Sequence, residues 1–286
     1  MNQVCIIYYR KLFLFLFWVA TLCCTIDVNG NTGWNLPSAR PNFVNHTLEE
    51  DKPHLVFLIS EDPNNYDAHL TIPIYAEYLR KQQGFEVTVI KGKGERHAFE
   101  FPGLEVLDEA DLLVIFCRRV ALRKDQMNRI RQFLKEGKPL VGIRTANHAF
   151  SVMDERIPEG YEDWWGFVPE ILGSENRGYG PTQPGTEVEI SPGSENHFIL
   201  KGVGPASWHS EGNVYLVSPL IDKKAEVLMI GKSAGKTEPV AWTRNAGKSR
   251  IFYTSLGYPK DFEIPQFRKM LSNGILWALD LNFIKP

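Results

Sequence analysis

Residues 137–150, GKPLVGIRTANHAF, set Arg144, Thr145, Asn147 and His148 directly behind the apolar run Leu140–Ile143. An imidazole titrates near neutral pH, so His148 is a candidate acid or base. A guanidinium stays protonated and cannot attack a carbonyl, so Arg144 is suited to hold a carboxylate, a phosphate or sugar hydroxyls. Two other apolar runs end in a similar way. Residues 54–60 lead into Glu61 and Asp62, and residues 111–116 lead into Cys117, Arg118 and Arg119. Further along lie His197, then His209 with Glu211, then Tyr258. The chemistry these types allow is acid or base work by His148 or His209, with Glu61 or Glu211 assisting. Arg118, Arg119 and Arg144 would hold substrate oxygens and stabilise developing negative charge, joined by Thr145, Asn147, His197 and Tyr258. The competing assignment is an arginine–carboxylate network that merely closes the edge of a sheet.

His197, His209 and Glu211 also have the donor atoms for a divalent metal, although no tight spacing such as H-x-x-x-H accompanies them. No cofactor is expected. Trp164, Trp165, Trp208 and Trp242 offer flat apolar surface for a sugar ring, against which stands ordinary core packing. Cys117 follows a different run from the one that ends at Arg144, and no histidine stands in a defined relation to it. It is not expected to act as a nucleophile.

What positions these residues is an alternation of strand and helix patterns. Residues 54–60, 85–90, 111–116 and 140–143 read as buried parallel strands. A helix is expected over 73–83, carrying the apolar residues Ile74, Ala76, Tyr78 and Leu79 with Gly84 as its stop, and another over 124–136 with Gly137 behind it. Strands separated by helices imply a parallel sheet with right-handed crossovers. The second half is mixed: strands over 187–190 and 225–230, a hairpin over 240–254 turning at Asn245, Ala246 and Gly247, and a last amphipathic helix over 265–279. In such open sheets ligands bind beyond the carboxyl ends of the strands. The polar clusters occupy those positions.

The first 30 residues read as a secretory signal. Arg10 and Lys11 precede a 13-residue apolar run, residues 12–24, which is short for a membrane span of about 20. Residues 28–30 offer small side chains for cleavage, and residues 31–52 read as a linker or arm. The expectation is an exported chain, periplasmic or extracellular, with anchoring through the N-terminal segment as the alternative. Removing Arg10, Lys11 and Asp27 moves the formal charge from -2 to -3, which gives no electrostatic case for nucleic acid. Of the four cysteines only Cys117 lies outside residues 1–30, so no intrachain disulfide is expected and stability must come from the core. Asn45-His46-Thr47 has the form of an N-glycosylation sequon.

Several segments together resemble one family. ISEDPNNY, GLEVLDEADLLVIFCRR, GKPLVGIRTANHAF, NHFILKGV, PVAWTRNAGKSRIFYTSLGYPKDF and PQFRKMLSNGILWAL are similar to the ThuA-like proteins of trehalose-utilisation type, across residues 54–281. The resemblance implies a flavodoxin-like α/β domain over 53–286, related to class I glutamine amidotransferases, and a link to carbohydrate metabolism. In the amidotransferases a nucleophilic cysteine follows the strand. Here Arg144 stands there, so a cysteine-dependent glutaminase is not implied. Tyr258 stands where such relatives tend to carry histidine in LGHP, and Arg177, Tyr179 and Gly180 stand where another histidine is expected. Two functions follow: a protein acting on a sugar or keto-sugar glycoside, and a carbohydrate-binding protein without catalysis. Neither the sugar nor the oligomeric state is specified. If the leader is removed, mass spectrometry of the secreted chain will find a new N-terminus near Gly30; Met1 retained in a cytoplasmic fraction would overturn this.

Overall fold

In the computed structural model residues 52–153 and 156–281 are described, so the leader, the sequon and nearly all of the arm lie outside the described residues. In chain order the elements are β1 (His54–Ile59), α1 (Ala68–Gln83), β2 (Glu86–Lys91), β3 (Lys93–Glu95), β4 (Ala98–Glu100), β5 (Leu112–Phe116), β6 (Leu122–Arg123) and α2 (Lys124–Lys135). There follow β7 (Leu140–Ile143), β8 (Tyr161–Glu162), β9 (Thr186–Ile190), β10 (Ser207–Ser210), β11 (Glu226–Ser233), β12 (Lys236–Ala246), β13 (Ser249–Thr254) and α3 (Pro265–Ala278). A nine-stranded sheet runs β10-β9-β11-β12-β13-β7-β5-β1-β2. Its half from β13 to β2 is parallel and its half from β10 to β13 is antiparallel. The parallel order is that of a flavodoxin-like sheet, with the chain switching direction between β1 and β5.

The central strands are apolar throughout because both faces are covered. Leu55, Phe57 and Ile59 of β1 pack with α1 and α3 on one face. Val56 and Leu58 pack with Met127, Ile130 and Phe133 of α2 on the other. Helix α1 begins earlier than its pattern suggested, at Ala68, and carries Pro73 inside it. That start puts Ile72, Tyr75, Ala76 and Leu79 on the buried face, at helical spacing. Ile74 falls on the opposite side and is 74% exposed.

A second, four-stranded sheet, β3-β4-β6-β8, was not foreseen. Its strands are two or three residues long, and β3 is wholly exposed, so no apolar alternation marks them. His209, read as a loop residue, lies in β10, which pairs with β9. The hairpin turning at residues 245–247 joins β12 to β13 as expected. No described helix is long and apolar enough to cross a membrane.

Helix α3 lies against β13 through Gly274. A Cβ built there would stand 2.2 Å from the fully buried Phe252 ring. Alanine in place of a mid-helix glycine gains about 1 kcal/mol of helix propensity. Overpacking a rigid ring costs about 1–3 kcal/mol, and a 2.2 Å approach belongs at the upper end of that range. Gly274→Ala should therefore lower stability by about 1–2 kcal/mol, read as a reduced urea midpoint with an unchanged slope. An unchanged or raised midpoint would mean that the helix moves off the sheet without cost.

Candidate functional site

At the carboxyl edge of the parallel strands opens a cleft of about 840 Å³, lined among others by Tyr66, Asp67, Arg96, Arg118, Arg119, His148, Tyr179, Asn213, Tyr215 and Tyr258. Its position follows from the switch between β1 and β5, which leaves the ends of the two strands diverging. Asn65 ties those ends together. Its amide donates to Ser60 O at 2.8 Å and to Phe116 O at 2.9 Å, and its carbonyl accepts from the Thr145 hydroxyl behind β7. The Arg118 backbone N–H donates to Ser60 Oγ at 3.1 Å. One buried side chain thus sets the relative height of three strand ends.

The segment after β7 is a 3-10 turn, Arg144–His148, entered through Arg144 at φ 44°. A non-glycine residue in the left-handed region costs of order 1–3 kcal/mol and persists only when its surroundings over-determine it. Here they do. The Tyr253 hydroxyl donates to Arg144 O at 2.8 Å. Gly257, at φ 120°, allows close approach, since a Cβ there would lie 2.7 Å from Ile143 Cγ2. The Arg144 side chain is fully buried beneath the cleft. It donates from Nη1 to Ser255 O at 2.8 Å and from Nη2 to Asn213 Oδ1 at 2.7 Å. Its guanidinium lies 3.9 Å from the Tyr66 ring centroid, 5.0 Å from that of Tyr215 and 5.7 Å from that of Tyr258. Arg144 is therefore a support under the cleft rather than a group in its wall. Thr145 and Asn147 are also fully buried: Thr145 is held by Asn65, and Asn147 Oδ1 accepts from Ser174 at 3.3 Å.

His148 does face the cleft. Asn176 Oδ1 accepts from the Gly178 N–H at 3.0 Å, which orients the Asn176 amide nitrogen toward His148 Nδ1 at 3.2 Å. Nδ1 therefore accepts, and in the neutral ring Nε2 carries the proton. Burial, then the positive charges of Arg119, Arg118 and Arg144, hold its pKa well below the usual histidine value. At neutral pH it is an uncharged hydrogen-bond donor, poorly set to give up a proton as an acid. Arg118 meets Asp62 at 3.6 Å. Arg119 stands at φ 49°, and its Nη1 reaches only Ser151 O, at 3.3 Å. Tyr258 is fixed by Asp261, whose Oδ2 accepts from the Gly257 and Tyr258 N–H groups at 2.8 and 2.9 Å. Burial raises the Asp261 pKa.

The remaining candidates are placed elsewhere. Glu61 is exposed and pairs with Lys91 at 2.7 Å. His209 pairs with Glu187 at 2.6 Å on the surface of the antiparallel strands, and Glu211 with Lys260 at 2.6 Å. His197 caps the short turn Phe198–Leu200, accepting from the Ile199 N–H. Among the described residues no three His, Cys, Asp or Glu side chains gather as a metal set, so His197, His209 and Glu211 do not form one. The tryptophans are not in the cleft wall either: Trp242 is buried and donates to Leu172 O at 2.8 Å, Trp208 is buried, Trp164 packs against Arg131, and Trp165 bonds Asp163. Cys117 is fully buried, which pushes its thiol pKa up and keeps it protonated. Residues not foreseen at the site are Tyr66, Asp67, Arg96, Asn213 and Tyr215 in or at the cleft, with Asn65, Asn176 and Asp261 as supports. They sit in polar connections without periodicity, and only the fold brings them together.

A family model described as ThuA, trehalose utilisation, matches residues 56–278. The chain belongs to the ThuA family. Among solved structures, a ThuA-like protein from Bacteroides uniformis is 18% identical, with a TM-score of 0.58, over 80% of this chain and 92% of that one. A ThuA-like protein from Parabacteroides merdae is 17% identical, also with a TM-score of 0.58, over 82% of this chain and 93% of that one. At these identities the likeness is one of fold. No curated protein matches this chain.

The depressed pKa of His148 has a measurable consequence. Below about pH 6.5 the unfolded chain binds a proton that the folded ThuA domain refuses, so stability falls as pH falls through that value. The loss grows by at most roughly 1.4 kcal/mol per pH unit until the folded pKa is reached. His148→Gln removes the contribution, so the stability gap between wild type and variant should shrink between pH 7 and pH 5, as read by urea unfolding. A gap that stays constant would mean that His148 protonates equally in both states.

Proposed function

We propose that this ThuA-family protein handles a carbohydrate, a sugar or keto-sugar glycoside, in the cleft at the carboxyl edge of its sheet. The observation that carries the reading is the pairing of aromatic faces with fixed donors on one concave surface. Tyr179 is 61% exposed at the rim, with its ring 6.2 Å from that of Tyr215, and so offers a flat face to a sugar ring. Arg118, Arg119 and the neutral His148 line the same surface and would polarise a carbonyl or bind hydroxyls. Arg144 and Asn213 support that wall from below. The proposal includes export, on the basic residues and the 13-residue apolar run near the N-terminus.

A second reading, binding without turnover, is favoured by one observation. Glycoside hydrolysis ordinarily uses two carboxyl groups flanking the bond. Among the described residues that line the cleft Asp67 is the one carboxylate, and Asp62 nearby is engaged with Arg118. Isothermal titration with neutral and keto disaccharides, run beside product detection by mass spectrometry, separates the readings: binding with a new product supports turnover, and binding alone supports a receptor. Tyr179→Ala should weaken sugar binding by about two- to tenfold while leaving the melting temperature unchanged, because the ring is exposed. An unchanged affinity would remove Tyr179 from the site, and no binding of any sugar would overturn the proposal.

A further inference from the structure

We propose that the cleft selects a sugar bearing an anionic group, a carboxylate or a phosphate, and that Arg119 with Arg118 receives that group. The inference rests on the carbohydrate reading above and narrows its ligand class. It begins from the contrast between Arg119 and the arginines that serve the fold. Arg244 meets Asp222 at 2.7 Å and two backbone carbonyls, and Arg144 is held by two hydrogen bonds and three aromatic faces. Among the described residues Arg119 has no carboxylate partner, and the one side-chain bond it makes to them, to Ser151 O, is long at 3.3 Å.

A half-buried guanidinium keeps only part of its hydration, so leaving its remaining donors unpaired is costly. The neighbouring charge makes matters worse. Arg118 directly precedes it and lies in the same wall, where Asp62 engages it at 3.6 Å and leaves Arg119 beside a second cation. Burial and the charge of Arg118 both push the Arg119 pKa down, the sign of a cation short of negative charge. The backbone nonetheless holds Arg119 in place: its φ is 49°, and its N–H donates to His148 O at 3.0 Å. Strain of this kind is retained where geometry serves a ligand. His148 adds an uncharged donor on the same wall, and the one lining carboxylate among the described residues, Asp67, stands at the start of helix α1. An oxyanion would accept charge-assisted bonds from the arginines and relieve their repulsion.

The test compares three probes of equal size on the intact protein by isothermal titration: trehalose, its uronic acid oxidised at C6, and its 6-phosphate. A charged form should bind roughly tenfold or more tightly than trehalose, with an advantage that shrinks between 50 and 300 mM salt, to be measured at about those two concentrations. Whichever of the two charged probes binds more tightly identifies the anion as carboxylate or phosphate. Arg119→Gln should erase most of the advantage, lowering affinity for the charged probes by a larger factor than affinity for trehalose, and Arg119→Lys should restore part of it. If Arg119→Gln does not fold, the salt-dependent preference of the wild type decides. Equal affinity for charged and neutral probes overturns the anion proposal and leaves the carbohydrate reading standing. Equal loss for all three probes in Arg119→Gln removes Arg119 from anion recognition. Failure of all three to bind the wild type overturns both.

Discussion

A permanent cation buried under the cleft organises the upper end of this domain. The Arg144 guanidinium is closed off from solvent and cannot shed its charge, so the protein must replace the hydration of its two terminal nitrogens. It does so with Ser255 O, with Asn213 Oδ1 and with the faces of Tyr66, Tyr215 and Tyr258. Those groups come from the connection after β1, the segment between β10 and β11, and the connection after β13. Each must take up one arrangement for the charge to be accommodated. Asn213 carries the constraint outward, because its amide donates to Gly180 O, next to Tyr179 at the rim. Gly212 completes the arrangement, since a Cβ there would stand 3.0 Å from Arg144 Nη1.

Backbone strain gathers at the same place. Tyr66, Asp67, Arg119 and Arg144 all have φ between 44° and 51°, and the first three line the cleft. Each such residue costs of order 1–3 kcal/mol, which a marginally stable domain can bear only where other bonds hold it. The bonds are identifiable: Asn65 across three strand ends, Tyr253 on Arg144 O, His148 O on the Arg119 N–H, and Asp261 on the turn that carries Tyr258. Below them the sheet and its helices pack mainly through apolar side chains, and that foundation supplies the stability the edge gives up.

The site is electropositive and aromatic rather than acidic. The residue after β7, Arg144, is a long cation that folds down and becomes part of the floor. The polar groups presented to the cleft are those of its walls, among them Arg118, Arg119 and an uncharged His148. The departures from the expected histidines have the same tendency: Tyr258 and Tyr179 contribute ring faces where titrating groups were expected.

Much of this was legible in the sequence. The unbroken apolar runs of β1, β5 and β7 specify a parallel sheet covered on both faces, because a strand of that composition cannot face water. The rule for open sheets then places the cleft at their carboxyl ends, and Arg118, Arg119, His148 and Tyr258 are found there. The depth of each side chain was not legible. Arg144 and Arg119 are alike as residues, yet one lies beneath the floor and the other in the wall, since burial depends on what arrives from distant parts of the chain. Glu61, His197, His209 and Glu211 had suitable chemistry, but nearby partners draw them into surface pairs and a turn. Asn65, Asn213 and Tyr215 carried no periodic signal and became site residues only through contacts dozens of positions away. Local pattern determines the strands and which of their ends can bear chemistry; only tertiary packing decides which polar groups meet there, because a charge is solvated by whatever the fold brings beside it.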